Sequence, residues 1–241
     1  MSAVDGRSSK ANGRVAMLSG AGRGIGAAIA RELAVRGWKL SLGMREPVLP
    51  EWADGSNVHL FRYEAADTGA AARWVADAGA FHGHIDAVIA NAGIMIPRSV
   101  IAAEDADLDQ LFEINVKAPR RLVKAAWEEL TVAGSGRVMI LASLSGKRVK
   151  SAKSGSYAVS KFAAVALSHA IRQAGWDLGI RATAICPGFV ATDMAHGITD
   201  LSDGEMTKPD DLAVVIATLL DLPNEASVAE FTVNCQLEEF V

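Results

Sequence analysis

The amino-acid sequence predicts an α/β domain: a doubly wound parallel sheet of about seven strands with helices on both faces. Short apolar runs alternate along the chain with longer segments of helical spacing, which is the order of elements in a parallel sheet with crossover helices. The runs are apolar throughout, so both faces of each strand are expected to be covered. The chain has 241 residues, of which 50% are hydrophobic, enough for one domain with a large core.

The predicted strands are the apolar runs Val15–Leu18, Lys39–Leu42, Val58–Phe61, Ala87–Ala90, Val138–Ala142, Arg181–Ile185 and Glu230–Val233. The predicted helices lie between them, at Ile25–Arg36, Thr68–Ala80, Leu108–Leu130, Ser156–Ala174 and Pro209–Leu220. No internal repeat or second composition regime interrupts this alternation. Residues 14–241 are therefore predicted to form a single domain, preceded by a flexible tail over residues 1–13.

The composition argues against nucleic acid and membranes as partners. The formal net charge is −4, whereas nucleic acid and anionic membranes attract basic proteins. No apolar run approaches the roughly 20 residues of a membrane-spanning helix, and the first residues lack the apolar stretch of a secretory signal. The only cysteines are Cys186 and Cys235, so no disulfide framework or metal site is predicted, and a reduced, cytoplasmic setting is expected.

A glycine-rich turn follows the first predicted strand and opens the first helix. Glycines let the backbone turn tightly and approach a pyrophosphate, and the helix N-terminus offers free N–H groups to its oxygens. The alternative is a tight turn that only packs a helix on a sheet. The position between strand and helix favours dinucleotide binding and a Rossmann fold, with contacts expected from Gly20, Gly22, Arg23, Gly24, Ile25 and Gly26.

Five motifs together resemble the short-chain dehydrogenase/reductase family, over about residues 14–194. Gly20, Gly24 and Gly26 have that family's spacing rather than G-x-G-x-x-G. Four further motifs follow in the family's order: Asn91-Ala92-Gly93, Asn115, Tyr157 with Lys161, and Pro187-Gly188 with Val190 and Thr192. The resemblance implies an oxidoreductase that transfers a hydride between a nicotinamide cofactor and a small carbonyl or alcohol substrate. It also implies cofactor contacts from Asn91, Ala92, Gly93, Tyr157, Lys161, Pro187, Gly188, Val190 and Thr192.

Tyr157 and Lys161 are spaced i,i+4, so a helix brings both side chains to one face. A free phenol has a pKa near 10, and a neighbouring ammonium with an oxidised nicotinamide is expected to lower the pKa of Tyr157. Tyr157 then acts as general acid and base. The alternative is that Tyr157 only packs while Lys161 points to solvent.

The resemblance implies two more catalytic residues. The family's active-site asparagine corresponds to Asn115, which supports a water chain from the lysine; alternatively Asn115 only interrupts the helical region Leu108–Leu130. The family's serine, which polarises the substrate oxygen, corresponds to Ser143 or Ser145. Ser143 is preferred because a loop absorbs an extra residue more easily than a strand end moves.

The residues after the second strand favour NADP over NAD. Met44 stands where an NAD site carries an acidic residue, and Arg45 follows it. The forked donors of Arg45 and Arg23 suit a 2′-phosphate, although Arg45 could instead cover the adenine face while Glu46 reaches the ribose. Glu64 matches the family position at the adenine ring.

The substrate is the least determined part of the prediction. A basic loop carries Lys147, Arg148, Lys150 and Lys153; it either steers an anionic substrate or is simply solvated. Residues 194–208 are expected to form the variable substrate lid. The resemblance implies a homotetramer or homodimer, but Asn234 begins a C-terminal segment that departs from the family's Asp-Gly-Gly. A non-catalytic NADP(H)-binding sensor on the same fold is the alternative function.

Overall fold

A computed structural model describes residues 13–53 and 55–237. Residues 1–12 of the expected flexible tail lie outside the described residues, and the single domain over 14–241 stays a prediction. The strands are β1 (Val15–Ser19), β2 (Lys39–Met44), β3 (Val58–Arg62), β4 (Ala87–Ala90), β5 (Arg137–Leu141), β6 (Arg181–Pro187) and β7 (Glu230–Val233). The helices are α1 (Gly24–Val35), α2 (Ala70–His82), α3 (Asp105–Phe112), α4 (Ala118–Ala125), α5 (Trp127–Val132), α6 (Gly155–Gly175), α7 (Asp193–His196) and α8 (Pro209–Asp221).

The strands form one seven-stranded sheet in the order β3-β2-β1-β4-β5-β6-β7, with every pairing parallel. The chain runs outward from β1 to β3 and then returns to the other side of β1. The strand order therefore reverses between β1 and β4, and ligands of such sheets bind at this point, outside the carboxyl ends of the strands. The predicted fold class is confirmed.

Helices cover both faces of the sheet, which explains the continuous apolar strands. On one face α2, α4 and α6 pack over a core that includes Trp74 and Leu122. On the other face α1 and α8 pack together over a core that includes Ile29 and Ile216. Strands β1, β4 and β5 are buried along their whole length.

The predicted helix Leu108–Leu130 is divided into several segments. After α3 the backbone makes a π-helical stretch over Glu113–Lys117, and α4 then begins at Ala118. A break at Ala126 separates α4 from α5. Apolar spacing continues through all of these segments, so the hydrophobic pattern alone could not show the divisions. π-Helical turns are rare and are frequently found at functional sites.

Candidate active site

A cleft of about 1610 Å³ opens at the carboxyl ends of the strands. It is lined by most of the predicted site residues: Gly20, Gly22, Arg23, Gly24, Ile25, Arg45, Glu64, Asn91, Ala92, Gly93, Ser143, Tyr157, Lys161, Pro187, Gly188, Val190 and Thr192. Gly26 and Asn115 do not line the cleft. The segments at the carboxyl ends of β1, β2, β3 and β4 contribute one part of the lining, which we call the glycine-turn half (within residues 20–25, 43–46, 63–65 and 91–97). The lining after β5 to β7 is the loop half (within residues 143–154, 187–200 and 234–236).

Three glycines shape the turn after β1, for two different reasons. Gly20 and Gly24 have φ values of +70° and +53°, in the left-handed region that favours glycine. At Gly26 the requirement is space, because a Cβ there would lie 2.1 Å from the Gly20 carbonyl oxygen and 2.7 Å from Asn91 Nδ2. The turn is therefore packed closely against α1, and the residues Gly20, Gly22 and Gly24 form a cradle lined by backbone at the cleft.

The N-terminus of α1 adjoins this cradle. The helix begins at Gly24 after an extended Arg23, and no side chain caps its first N–H groups. Such groups, together with the positive end of the helix dipole, attract phosphate oxygens. The uncapped helix end and the glycine cradle thus fit the pyrophosphate of a dinucleotide.

Hydrogen bonds join the ends of β1 and β4 beneath the cradle. The buried Ser19 hydroxyl oxygen accepts from the backbone N–H groups of Asn91 and Ala92, each at 3.1 Å. Asn91 Nδ2 donates in return to the carbonyl oxygens of Ser19 (3.0 Å) and Gly20 (3.1 Å). This network fixes the two strand ends at the reversal of strand order.

Tyr157 and Lys161 both lie buried on the first turns of α6, where the two halves of the cleft meet. Lys161 Nζ donates to the Leu141 carbonyl oxygen at 2.7 Å and lies 5.6 Å from the centroid of the Tyr157 ring. Lys161 is therefore directed into the protein and away from solvent, contrary to the alternative that left it outside.

Burial shifts the pKa of Tyr157 in the direction opposite to the lowering expected from Lys161 together with an oxidised nicotinamide. Burial raises the pKa of Tyr157 to about 12, against a smaller lowering by a hydrogen bond with the Ser143 side chain. Desolvation also lowers the pKa of Lys161 to about 8. The sequence argument combined the charges of Lys161 and an oxidised nicotinamide and did not consider the burial of both side chains. In this structure Tyr157 holds its proton at neutral pH.

Ser143, rather than Ser145, interacts with the Tyr157 phenol. Ser143 caps the short helical turn after β5, and its hydroxyl accepts a hydrogen bond from the backbone N–H of Ser145 at 3.1 Å. Both serines line the cleft. Ser143 is thus the serine in contact with the phenol, and its assignment as the catalytic serine stays a prediction.

Asn115 lies in the π-helical stretch and is buried. Its side chain bonds to both backbone groups of Ile94, accepting at 2.9 Å and donating at 3.0 Å, and it donates to Ser160 Oγ at 3.0 Å. A Cβ on Gly93 would lie 3.2 Å from Asn115 Oδ1 and 3.6 Å from Lys161 Nζ. Asn115 therefore anchors the loop after β4 to α6, close to the lysine.

Sequence reasoning missed Arg121, which connects this anchor to the end of β3. Its guanidinium donates to the Ala65 carbonyl oxygen at 2.8 Å and pairs with Glu113 at 2.5 Å. Ala65 and Glu64 line the cleft, while Glu113 begins the π-helical stretch. A lone arginine on a helix carries no motif, so only the tertiary structure reveals this link.

The two arginines expected at a 2′-phosphate differ in their surroundings. Arg45 is exposed at the end of β2 and lines the cleft, beside a buried Met44. Arg23, in contrast, forms an exposed ion pair with Asp193 of α7, at 2.6 Å. Arg23 is therefore paired with the loop half while it also lines the cleft, and its role at a 2′-phosphate stays a prediction.

Comparisons with known proteins agree with this arrangement. The family model for short chain dehydrogenases matches residues 14–202, which span the glycine turn, Tyr157 and Lys161. The chain belongs to the short-chain dehydrogenase/reductase family. Members of this family are oxidoreductases that use NAD or NADP.

Two curated relatives of this dehydrogenase/reductase illustrate its similarity. It is 38% identical over 230 residues to the agropine synthesis reductase of Rhizobium rhizogenes, covering 93% of this chain and 53% of that protein. It is 32% identical over 201 residues to the oxidoreductase UcpA of Escherichia coli, covering 81% of this chain and 76% of that protein. The chain thus spans about half the length of the agropine synthesis reductases it matches.

Solved structures of family members have the same fold. A short-chain dehydrogenase/reductase of Serratia marcescens superposes with a TM-score of 0.83 at 23% identity, covering 93% of this chain and 97% of that chain. An alcohol dehydrogenase of Thermococcus sibiricus, complexed with 5-hydroxy-NADP, has a TM-score of 0.81 at 26% identity, with 94% and 99% covered. Within residues 13–53 and 55–237, no helix of this family member has the length and apolar character that crossing a membrane requires.

The loop half of this dehydrogenase/reductase contains residues that sequence motifs did not reveal. Asn234 and Gln236 line the cleft after β7, together with Phe189 after β6. The rule that a ligand site lies at strand ends could have indicated Asn234, because it directly follows β7. Gln236 and Phe189 could be placed at the cleft only from the folded loops.

The expected lid over 194–208 is folded onto the cleft. It contains most of α7 and a short helical turn at Asp203–Glu205. Thr207 bridges to Val190, and His196 bonds to Asp203 at 2.5 Å. Met194, His196 and Ile198 are among the lid residues that line the cleft.

Proposed function

We propose that this chain is an NADP-dependent oxidoreductase that moves a hydride reversibly between nicotinamide and a small ketone or aldehyde, or the corresponding secondary alcohol. The observation that carries the proposal is the group formed by the buried Tyr157 and Lys161 with the half-buried Ser143, beside a glycine cradle that fits a pyrophosphate. The relatives described as reductases and oxidoreductases support turnover rather than a non-catalytic sensor.

The cradle and the uncapped start of α1 would hold the pyrophosphate, and Arg45 the 2′-phosphate. Glu64 would lie at the adenine. The segments expected near the nicotinamide are Asn91, Ala92, Gly93, Pro187, Gly188, Val190 and Thr192. When bound, the nicotinamide supplies or accepts the hydride at its ring carbon.

Tyr157 would donate its proton to the carbonyl oxygen of the substrate during reduction. A phenol with a pKa of about 12 holds that proton at neutral pH, and Ser143 would add a hydroxyl hydrogen bond to the same oxygen. Lys161 would favour the phenolate left after proton transfer, while Asn115 would hold the loop and lysine in place. In the reverse direction Tyr157 would accept the alcohol proton.

Tyr157→Phe tests the chemical proposal. This change removes the proton donor and keeps the ring that packs in the site, so we expect kcat to fall by about two to four orders of magnitude. NADPH affinity, measured by nicotinamide fluorescence, should change by less than about threefold. Turnover that survives the substitution would contradict the role of Tyr157.

Titrations with NADPH and NADH test the cofactor preference, and Arg45→Gln identifies its source. We expect NADPH to bind more tightly than NADH in the unmodified protein, and the ratio to fall by about tenfold in the variant. Arg62→Gln is the matched control, because Arg62 is also exposed at a strand end yet does not line the cleft. A preference for NADH would overturn the assignment.

We also propose a cytoplasmic homodimer or homotetramer. Two features support it: the cysteines Cys186 and Cys235 are free thiols, and α6 exposes Val159 and Phe162 on its outer face. Light scattering of the purified chain distinguishes monomer, dimer and tetramer.

A further inference from the structure

The segment that follows β3 forms part of the cleft at the end where the adenine is proposed to bind. Tyr63, Glu64 and Ala65 all line the cleft. Among the described residues β3 is an edge strand, so β2 is the strand that adjoins this segment. The backbone N–H of Tyr63 donates to the Met44 carbonyl oxygen of β2 at 2.9 Å. This bond holds the start of the segment, whereas its end is held by a helix.

Arg121 of α4 holds the end of this segment. Its Nη2 donates to the Ala65 carbonyl oxygen at 2.8 Å. The same nitrogen pairs with Glu113 Oε1 at 2.5 Å, and the Glu113 carboxylate also pairs with Lys117 at 3.3 Å. The Arg121 side chain is 18% exposed, and it does not line the cleft. Arg121 would therefore act on a bound cofactor through the residues that it holds.

The charge of Arg121 also acts on Tyr63 at the start of the segment. Burial raises the pKa of Tyr63 to about 12, and the nearby charge of Arg121 opposes that rise to a smaller extent. The Tyr63 ring packs on Trp74, with 4.9 Å between the ring centroids. Trp74 in turn packs against Gly43, where a Cβ would lie 2.5 Å from the indole. Arg121 thus lies behind the same wall of the cleft that Trp74 supports.

The π-helical stretch supplies a second part of the lining. Ile114 follows Glu113 in this stretch and lines the cleft. The Arg121 guanidinium therefore joins two lining segments, one at Ala65 and the other beside Ile114. Charged hydrogen bonds that are shielded from water are stronger than exposed neutral ones, so this side chain can fix the distance between the two segments.

We infer that Arg121 is a positioning residue for the adenosine part of the cofactor, because it fixes the distance between the segments at Ala65 and Ile114. The inference rests on the proposed function, since it takes a nicotinamide dinucleotide as the ligand and places the adenine at Glu64. The nicotinamide would lie beyond the glycine cradle. Loss of Arg121 should therefore weaken binding of the adenosine part alone.

Two fragments of the cofactor test the inference. Adenosine 2′,5′-bisphosphate carries the adenosine part, and adenosine 5′-monophosphate replaces it if NADH binds more tightly than NADPH. In Arg121→Met we expect the affinity for this adenosine fragment, measured by calorimetry, to fall by at least about tenfold. The affinity for reduced nicotinamide mononucleotide, measured by its fluorescence, should stay within about twofold.

Arg121→Lys and Arg120→Met are the matched controls. One nitrogen of Arg121 makes both contacts, and a lysine ammonium also offers several donors. Arg121→Lys should therefore keep the affinity for the adenosine fragment within about threefold of the unmodified protein. Arg120 is exposed on the same helix and does not line the cleft. Its substitution by methionine should leave both affinities unchanged.

Glu113→Gln replaces Arg121→Met if the latter does not fold. It keeps the shape of the side chain and removes the carboxylate that pairs with the guanidinium. We expect the affinity for the adenosine fragment to fall by about two- to fivefold, again with the mononucleotide unaffected.

The outcomes separate the two proposals. Unchanged affinity for the adenosine fragment in the folded variant overturns the inference and leaves the oxidoreductase proposal intact. Equal weakening of both fragments also overturns it, because Arg121 would then support the whole cleft rather than the adenosine part. If the unmodified protein binds neither NADPH nor NADH, both proposals are overturned.

Discussion

The two halves of the cleft are built in different ways. The centre of the glycine-turn half is backbone that directly follows β1 and β4, and it packs on α1 so closely that a Cβ on Gly26 would lie 2.1 Å from a carbonyl oxygen. The loop half is lined by side chains from three loops, apolar ones such as Phe189 and Met194 beside long polar ones such as Lys150. These loops are held by exposed pairs such as Arg23 with Asp193 and His196 with Asp203.

This difference predicts which half of the cleft tolerates amino-acid substitutions and which does not. In closely packed backbone, one added methyl group displaces its neighbours. Exposed ion pairs, in contrast, each contribute little to stability. We therefore expect substitutions in the glycine-turn half to have large effects on folding and cofactor binding. Comparable substitutions in the loop half should change selectivity with small effects on stability.

The largest expected effect is that of Gly26→Ala. The new methyl group would collide with the Gly20 carbonyl oxygen and with Asn91 Nδ2, so the turn must open to accommodate it. We expect NADPH affinity, measured by fluorescence titration, to fall by at least about a hundredfold, or the folded yield to collapse.

Gly79→Ala is the control for that substitution. A Cβ on Gly79 meets nothing within 4 Å, and the residue lies inside α2. Alanine there should stabilise the protein by about 0.5–1 kcal/mol without altering NADPH affinity. Unchanged cofactor affinity in the Gly26 variant would show that the close packing of the turn has no role in binding.

Lys161→Met should reveal the energetic cost of burying the lysine where the two halves meet. Desolvation lowers the pKa of Lys161 from 10.5 to about 8, so below pH 8 the folded state holds a buried charge. Between pH 8 and 10.5 the folded lysine loses its proton while the unfolded lysine keeps it, and the stability of the unmodified protein rises relative to the variant.

Urea unfolding at several pH values measures this effect. The quantity compared is the free energy of unfolding of the variant minus that of the unmodified protein. This difference should fall by at most about 3 kcal/mol between pH 8 and 10.5. Titrating groups that do not interact with Lys161 cancel in the difference; Cys186, whose pKa burial raises and Lys161 lowers slightly, does not cancel completely. A difference that stays constant between pH 8 and 10.5 would contradict the lowered pKa.

The same substitution, serine to alanine, can be compared at two positions that directly adjoin the two halves, Ser19 and Ser202. Ser19→Ala removes the buried acceptor of the Asn91 and Ala92 N–H groups, and should cost about 2 kcal/mol of unfolding free energy. Ser202→Ala removes an exposed hydroxyl that donates to Glu205 in the lid, and should cost less than about 0.5 kcal/mol. Equal losses in urea unfolding would contradict the contrast between the halves.

The fold and the glycine-turn half were largely predictable because their signals are local. All seven strands lie where the apolar runs predict, with ends shifted by at most two residues. Gly20 and Asn91 follow their strands directly, so a strand prediction also places them at the cleft.

The remaining features depend on contacts between distant parts of the chain. The division at Glu113–Lys117 leaves the apolar spacing intact, and the raised pKa of Tyr157 follows from burial that no motif encodes. The pairing of Arg23 with Asp193 joins residues 170 positions apart. Local sequence could identify the charges but not which partners they would take.

The smallest expected effect comes from Asp193→Asn, which breaks the one ion pair described above that joins the two halves. Both side chains are largely exposed, at 72% and 73%, so stability should change by less than about 0.5 kcal/mol. The substitution leaves Arg23 without its carboxylate partner. If Arg23 contributes to the proposed 2′-phosphate site, NADPH should gain about two- to fivefold in affinity relative to NADH, measured at low salt.

Asp210→Asn is the matched control for this last prediction. Asp210 also forms an exposed ion pair, with Arg31, and neither residue lines the cleft. The control should leave the ratio of NADPH to NADH affinity unchanged. If Asp193→Asn also leaves that ratio unchanged, Arg23 belongs to the loop half alone, and the proposed preference for NADP would then depend on Arg45.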